Sequence, residues 1–409
     1  MNTVKSQAPV PVFARLRDAR IQAGLTQEQV ADYLGIRRPA IAEIEAGKRA
    51  VKSDELLRLA ELYGRSLKWL VQGAEGAEER IAGALFRAHE PTSPLLKREA
   101  AKLARRCRLV GELEEKLGLE RHHQALPQYA NERALHDFSL AAHHGAEVAY
   151  QERARLRVGV AAPIRDVWGL VEDAGLHVFP LHLGREGEID GIFTRIDETR
   201  ACVGVNVEKW VFRQVFTVVH EYGHALMDGD TPAEACITSR GWTSHKRSRY
   251  NNREFRANQF AAVFLVPREA LLRYLEARGK VRRARLTELT PMDVVRAQDH
   301  FGVSAEMLLW RLQEESLIAA TERKELAAKL AEIGVVALAR ALGYDWRDRA
   351  QPFTRVHELA LQGYAKGLVT LGIVADLFDR VKEDMHDLLQ AWGVRQEFAP
   401  GDALVGTAN

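Results

Sequence analysis

Apolar positions in the first seventy residues recur at helical spacing, and turn residues cut them into short elements. A first helix covers about Phe13 to Ala23 and stops at Gly24, a natural residue just past a helix end. Thr26 is a good N-cap for a second helix running to Leu34, and Gly35-Ile36 makes a tight turn. A third helix spans about Arg38 to Ala46, with Pro39 in its first turn, where the missing N–H costs nothing. A fourth follows from Ser53 to Tyr63, carrying Leu56, Leu59, Ala60 and Tyr63 as its apolar stripe. Two helices joined by a three-residue turn containing Gly have the helix-turn-helix layout.

Residues 74–133 read as charged and helical. Leu103, Leu109, Leu113 and Leu117 recur at helical spacing within Leu96 to Leu119, which predicts one long helix or a hairpin with a packing or dimer surface. The pattern changes near Ala134. An amphipathic helix covers Leu135 to Arg157, and Pro163 opens another, Ile164 to Ala174, ended by Gly175. Three candidate strands follow: Leu176 to Pro180, Gly191 to Ile196 and Ala201 to Val207, with alternation clearest in the last. An apolar helix then covers Val215 to Leu226, and a second runs from Arg253 until Pro267 stops it. Beyond residue 288 the periodicity is helical throughout. Thr290-Pro291 starts one helix, Gly302-Val303-Ser304 makes a turn, and Ala305 to Gln313 forms the next, a second possible helix-turn-helix. Leu326 to Leu342, His357 to Gly372 and Ala375 to Trp392 complete the tail, and no internal repeat stands out.

The predicted class is therefore α+β and mostly helical. It comprises an N-terminal helix-turn-helix bundle (1–73), a helical connecting segment (74–133), a central domain with a small sheet (134–288) and an all-helical C-terminal region (289–409). Composition narrows the setting. With 409 residues, 46% hydrophobic and 28% charged, the chain is long enough for several soluble domains. A net charge of +2 leaves no global polyanion-binding signature, so a nucleic-acid site must be a local patch. Residues 1–73 hold 12 Lys+Arg against 8 Asp+Glu, a modest local excess. Cys107, Cys202 and Cys236 are far apart, which argues against a disulfide framework and fits a reducing cytoplasm. Met1 to Val12 has no apolar core, so no signal peptide is expected, and no apolar run is long enough to span a membrane.

The chemistry concentrates in His220-Glu221-Tyr222-Gly223-His224. Residues four apart share a helix face, so His220 and His224 can offer two imidazole nitrogens to one metal ion, with Glu221 beside any bound water. A third ligand belongs on a later element. Glu254, on the Arg253 helix, can point inward and would give a His₂Glu set with an open fourth position. Asp228, Asp230, Glu234 and His245 compete for that role. The basic cluster Arg240, Lys246, Arg247, Arg249, Arg253 and Arg256 between the histidines and this helix is most simply a solvated loop.

Two resemblances add to this reading. Leu25-Thr26-Gln27-Glu28-Gln29-Val30-Ala31, Leu34-Gly35, Ile41 to Arg49 and Trp69-Leu70 resemble the Xre/Cro, lambda-repressor-like DNA-binding domains. The likeness implies that the helix from Arg38 enters the major groove of double-stranded DNA. Arg37, Arg38 and Glu43 would read base edges, Gln27, Lys48 and Arg49 would meet phosphates, and a homodimer would read two half-sites. Asp190-Gly191, the strand end at Asn206, Arg213 to Thr217, His220 to His224, and Glu254-x-x-Ala257-Asn258-x-Phe260-Ala261 with Pro267 resemble the ImmA/IrrE metallo-endopeptidases. That likeness implies a zincin-like domain with Zn²⁺ on His220, His224 and Glu254, and Glu221 as catalytic base. Asn206, Arg213 and His245 are the candidate substrate contacts. The implied function is a cytoplasmic DNA-binding regulator that cleaves a repressor or antitoxin-like protein and so derepresses stress, phage or mobile-element genes. The alternative is a non-proteolytic transcription factor or antitoxin whose zincin-like domain senses or oligomerises.

Overall fold

In the computed structural model, the described residues are 11–22, 25–63, 70–71, 94–119, 126–185, 189–195, 201–228, 249–282, 285–346 and 353–396. The chain divides into two compact units. One holds the N-terminal helices and continues to Arg108; the other begins at Leu109 and holds nearly all the rest.

The first unit contains α1 (Val12–Gln22), α2 (Gln27–Leu34), α3 (Arg38–Glu45) and α4 (Ser53–Tyr63). Thr26 and Gln29 form a reciprocal capping box at the start of α2, and Gly35 ends it in the left-handed conformation at φ 70°. Leu16, Ala19, Val30, Ala31, Leu34, Ile41, Ile44 and Leu59 close a small core. The stripe predicted in the connecting segment is one helix, α5 (Pro94–Lys116), with Leu103 and Leu113 buried.

The second unit is built around a three-stranded sheet in the order β1-β3-β2, from β1 (His177–Leu181), β2 (Gly191–Arg195) and β3 (Ala201–Asn206). β1 and β3 pair in parallel, His177 opposite Cys202 through Leu181 opposite Asn206. Both strands are buried along their whole length, as expected of strands covered on both faces. Around them lie α6 (Phe138–Arg155), α7 (Val167–Asp173), α8 (Val211–Met227), α9 (Arg249–Leu265) and α10 (Arg268–Ala277), then a two-residue ladder of β4 (Val281–Arg282) and β5 (Arg285–Leu286). Next come α11 (Pro291–Phe301), α12 (Ala305–Glu314), α13 (Ala320–Ile333) and α14 (Val335–Ala341), and the tail is α15 (Arg355–Ala365), α16 (Leu371–Leu377) and α17 (Lys382–Ala391). One apolar core runs from Leu126 to Trp346, so α11 to α14 share it with the sheet and α8.

Several expected boundaries move for local reasons. Pro163 does not open a helix: Asp166 caps α7 by accepting from Gly169 N at 2.9 Å, so α7 starts at Val167. Asp137 likewise caps α6, and Glu132–Leu135 before it is a 3₁₀ turn. The helix expected from Ala375 to Trp392 is two, because Asp379 adopts φ 55° between α16 and α17. The one expected from Leu326 to Leu342 breaks at Gly334, φ 82°.

Candidate functional site

Helix α8 leaves the sheet through a turn held by one side chain: Gln214 donates to Val207 O at 2.9 Å and to Lys209 O at 2.7 Å. Its buried face then carries Thr217, His220, Glu221 and His224. Helix α9 lies against it at close range, since a Cβ on Gly223 would sit 2.8 Å from the Phe260 ring. Tyr222 reaches Glu152 on α6, a fully buried carboxylate that also accepts from Tyr129 Oη at 2.7 Å and from Arg155 Nε at 2.8 Å. The sequence does not single out Glu152; a charged residue on the inner side of an amphipathic helix was the only signal.

That packing brings three donors together. His220 Nε2 and His224 Nε2 are 3.1 Å apart. Glu254 places Oε2 3.4 Å from His220 Nε2 and Oε1 3.4 Å from His224 Nε2. A tetrahedral zinc with bonds of about 2.0–2.1 Å needs ligand atoms about 3.3 Å apart. The two imidazole nitrogens, 3.1 Å apart, suit such an ion, and one ligand atom from each of the three residues lies within 4.8 Å of the others. His220 is fully buried and His224 almost so, while the Glu254 side chain is 20% exposed, so solvent approaches from the Glu254 side. Burial holds the His220 imidazole below its ordinary pKa, in the neutral form a metal requires. Burial alone would raise the Glu254 carboxyl, but the charge of His224 and bonds from both imidazoles hold it well below the usual range.

Asp228, a competing ligand by sequence, stands one step back. Its Oδ2 lies 2.8 Å from His224 Nδ1, the ring atom facing away from the donor triangle. Asp228 also receives Arg256 of α9 and lies 3.5 Å from Arg253 Nε. Burial opposes its ionisation, yet the bond to His224 and the charges of His224, Arg256 and Arg253 hold its carboxyl low. Arg256 is 1% exposed and donates to Met227 O at 3.2 Å, so this member of the basic cluster is structural, not solvated. Arg249, Arg253 and Arg256 all lie on α9 instead of in a loop. Arg240, Lys246 and Arg247, with Asp230, Glu234 and the substrate candidate His245, fall outside the described residues.

The other substrate candidates border β2. Arg213 clamps Asp190 through Nε at 3.0 Å and Nη2 at 2.6 Å. Gly191, next in the chain, presses on α8: a Cβ there would lie 2.4 Å from Thr217 Cγ2 and 3.0 Å from Glu221 Oε1. The edge strand β2 therefore starts against the carboxylate of Glu221. Asn206 does not face outward as a substrate contact would. It is fully buried, its amide donates to Gly184 O and Ile189 O, and its oxygen accepts from Glu208 N, so it ties three loop segments together.

In the first unit, Arg37, Arg38, Glu43 and Lys48 are exposed around α3, and Arg49 is half-buried. Gln27 is turned inward, donating to Glu45 Oε2 at 2.9 Å, and Arg20 holds the same carboxylate at 2.6 Å. Arg49 bonds Glu55 at 2.6 Å, while Arg38 lies 3.8 Å from Glu28 with both side chains mostly exposed. Gln27 and Arg49 thus have partners within the bundle that phosphates would have to share or displace.

Residues 16–70 match the family described as Helix-turn-helix, and residues 171–313 match the family described as IrrE N-terminal-like domain. One chain joins an Xre-like helix-turn-helix to an IrrE/ImmA-like domain of the metallopeptidase type. The second match takes in the sheet, α8 and α9, and extends through α12, consistent with the common core. No described helix of this regulator-like chain is long and apolar enough to cross a membrane.

Proposed function

We propose that the chain is a DNA-binding transcriptional regulator whose IrrE/ImmA-like part is a zinc-dependent endopeptidase, cleaving a repressor or antitoxin-like protein. Residues 1–73 bind DNA, 74–133 connect, 134–288 form the peptidase and 289–409 the helical remainder. The cluster of His220, His224 and Glu254 carries this reading, because it gathers three metal-binding side chains within 4.8 Å of one another and Glu221 follows His220 on the same buried face. Bound there, zinc supplies Lewis-acid polarisation of a carbonyl and of the attacking water. Glu221 takes the proton of that water and returns it to the departing amide nitrogen. Its full burial strengthens the electrostatics of that transfer. The substrate lies extended along β2, an edge strand of the sheet among the described residues, where backbone pairing registers the scissile bond beside Gly191 and Glu221. Arg213 and Asp190 hold the start of that edge in place.

The test is Glu221→Gln, which keeps the shape of the side chain and leaves all three metal donors. The variant is expected to bind one zinc per chain with unchanged affinity and to lose cleavage of a co-encoded repressor. Chelator-sensitive cleavage that survives in Glu221→Gln ends the assignment of the base.

A further inference from the structure

The tail of the chain restates its beginning. Adding 344 to the number of Thr26 gives Thr370, and the same step carries Val30-Ala31-Asp32 onto Val374-Ala375-Asp376. It also carries α1, α2 and α3 onto α15, α16 and α17 to within a residue at their starts. The turns agree in backbone conformation. Gly35 at φ 70° corresponds to Asp379 at φ 55°, and the N-caps Arg37 (φ −77°, ψ 142°) and Val381 (φ −74°, ψ 154°) match. So do Thr26 (φ −80°, ψ 158°) and Thr370 (φ −85°, ψ 161°). Burial follows the same register: Val374, Ala375, Phe378 and Met385 fill the places of Val30, Ala31, Leu34 and Ile41. By this register the tail has a helix-turn-helix layout of its own, with α17 at the place that α3 holds in the N-terminal unit. Few identities survive, which is why sequence inspection shows no repeat.

The outward chemistry has changed sign. At the positions of Arg37, Arg38, Glu43 and Lys48 stand Val381, Lys382, Asp387 and Trp392, all exposed. Glu383 and Asp384 replace Pro39 and Ala40. An acidic helix is repelled by phosphates, so this copy is no second DNA reader. Met385 and Leu389 point inward, and the rest of α17 leaves Glu383, Asp384, His386 and Asp387 to solvent beside Lys382, a net acidic face. Trp392, 46% exposed, rests on Phe378 with ring centroids 5.9 Å apart at the end of this face. An exposed tryptophan beside a charged rim suits a protein partner.

We propose that the outer face of α17 docks on the basic α3 face of a second copy of this chain, pairing Glu383, Asp384 and Asp387 with Arg37, Arg38 and Lys48. Exchange of this contact in both directions closes a two-fold dimer. Docking occupies the cations expected to meet DNA, so association and DNA binding compete; that competition rests on the DNA reading of α3, whereas the contact itself does not.

The test is sedimentation of the full chain at low and high salt, beside Glu383→Lys/Asp384→Lys/Asp387→Lys. A control, Glu306→Lys/Glu325→Lys/Glu332→Lys, makes the same charge change at exposed positions elsewhere. Exposed ion pairs each contribute roughly 1.4- to 5-fold, so reversing three, each present twice in a two-fold dimer, weakens self-association by about tenfold or more. The control leaves it unchanged, and Arg37→Glu/Arg38→Glu weakens it as the α17 variant does. Restoration of association on mixing the α17 and α3 variants confirms the pairing. Equal self-association of wild type and the α17 variant at low salt overturns the proposal, as does equal loss in the control. If the α17 and α3 variants lose association while wild type binds no DNA, the contact stands and the DNA reading of α3 fails.

Discussion

Replacing Asp228 by Asn tests whether the metal donors are organised by the protein before any ion enters. The carboxylate lies 2.8 Å from His224 Nδ1, its side chain is 9% exposed, and Arg256 of α9 bonds to it as well. It therefore fixes the ring whose other nitrogen joins the donor triangle and ties α8 to the helix that carries Glu254. An asparagine keeps the size but removes the charge, so the imidazole is left with at most a weaker, neutral acceptor and the buried guanidinium loses its counter-ion. Loss of such an outer partner typically lowers metal affinity 10- to 100-fold, about 1.4–2.7 kcal/mol. Folding stability falls as well; breaking a buried pair costs roughly 3–5 kcal/mol, and here less, because Arg256 also donates to Met227 O at 3.2 Å. The assay is competition for zinc against a chromogenic chelator, beside a melting curve of the metal-free protein. An unchanged zinc affinity refutes preorganisation by Asp228. A fall in melting temperature alone reduces Asp228 to a helix clamp.

Further outcomes follow from the same geometry. Gly145→Ala would place a Cβ 2.3 Å from Arg256 O, forcing α6 from α9; the expected loss is about 1–3 kcal/mol, read by denaturant melts. Glu172 is pushed up to about 7 by burial, against opposing bonds from Arg355 and Val178 backbone N–H groups. Its folded pKa lies above the unfolded value near 4.5, so the fold binds the extra proton and loses stability as pH rises from about 4.5 to 7, by up to about 3 kcal/mol. Glu172→Gln should therefore raise the melting temperature at pH 8 and leave it nearly unchanged at pH 5; equal effects at both would contradict the sign. On DNA, Lys48→Ala should weaken binding across sequences and reduce the salt slope by about one, while Arg38→Ala should cost about 1–3 kcal/mol at one base pair only, both read by titration at several salt concentrations.

Local periodicity determined a good deal without any tertiary information. Thr26, Gly35, Pro39 and Ser53 each act within one turn, so the four N-terminal helices can be read to within a residue or two. The four-residue spacing of His220 and His224 sets their common face, because helix geometry alone decides it. The Arg253 helix could be recognised and Glu254 named as a candidate third donor, but Asp228 stood beside it as an equal in kind. Only packing separates them: Gly145 and Gly223 let α9 close on α6 and α8, which turns Glu254 toward both Nε2 atoms and leaves Asp228 on the far side of His224. The same long-range contacts make Arg256 a buried latch, Asn206 a loop tie and Glu152 the anchor of Tyr222, none of which a linear pattern distinguishes from solvated residues. The helix-turn-helix layout of the tail was hidden for a related reason. A core needs only apolar groups of suitable size at the right places, so Ile41 can become Met385 and Leu34 Phe378 while the backbone path persists. Sequence sets which faces are apolar and where turns fall; which distant side chains meet is decided by how closely those faces pack.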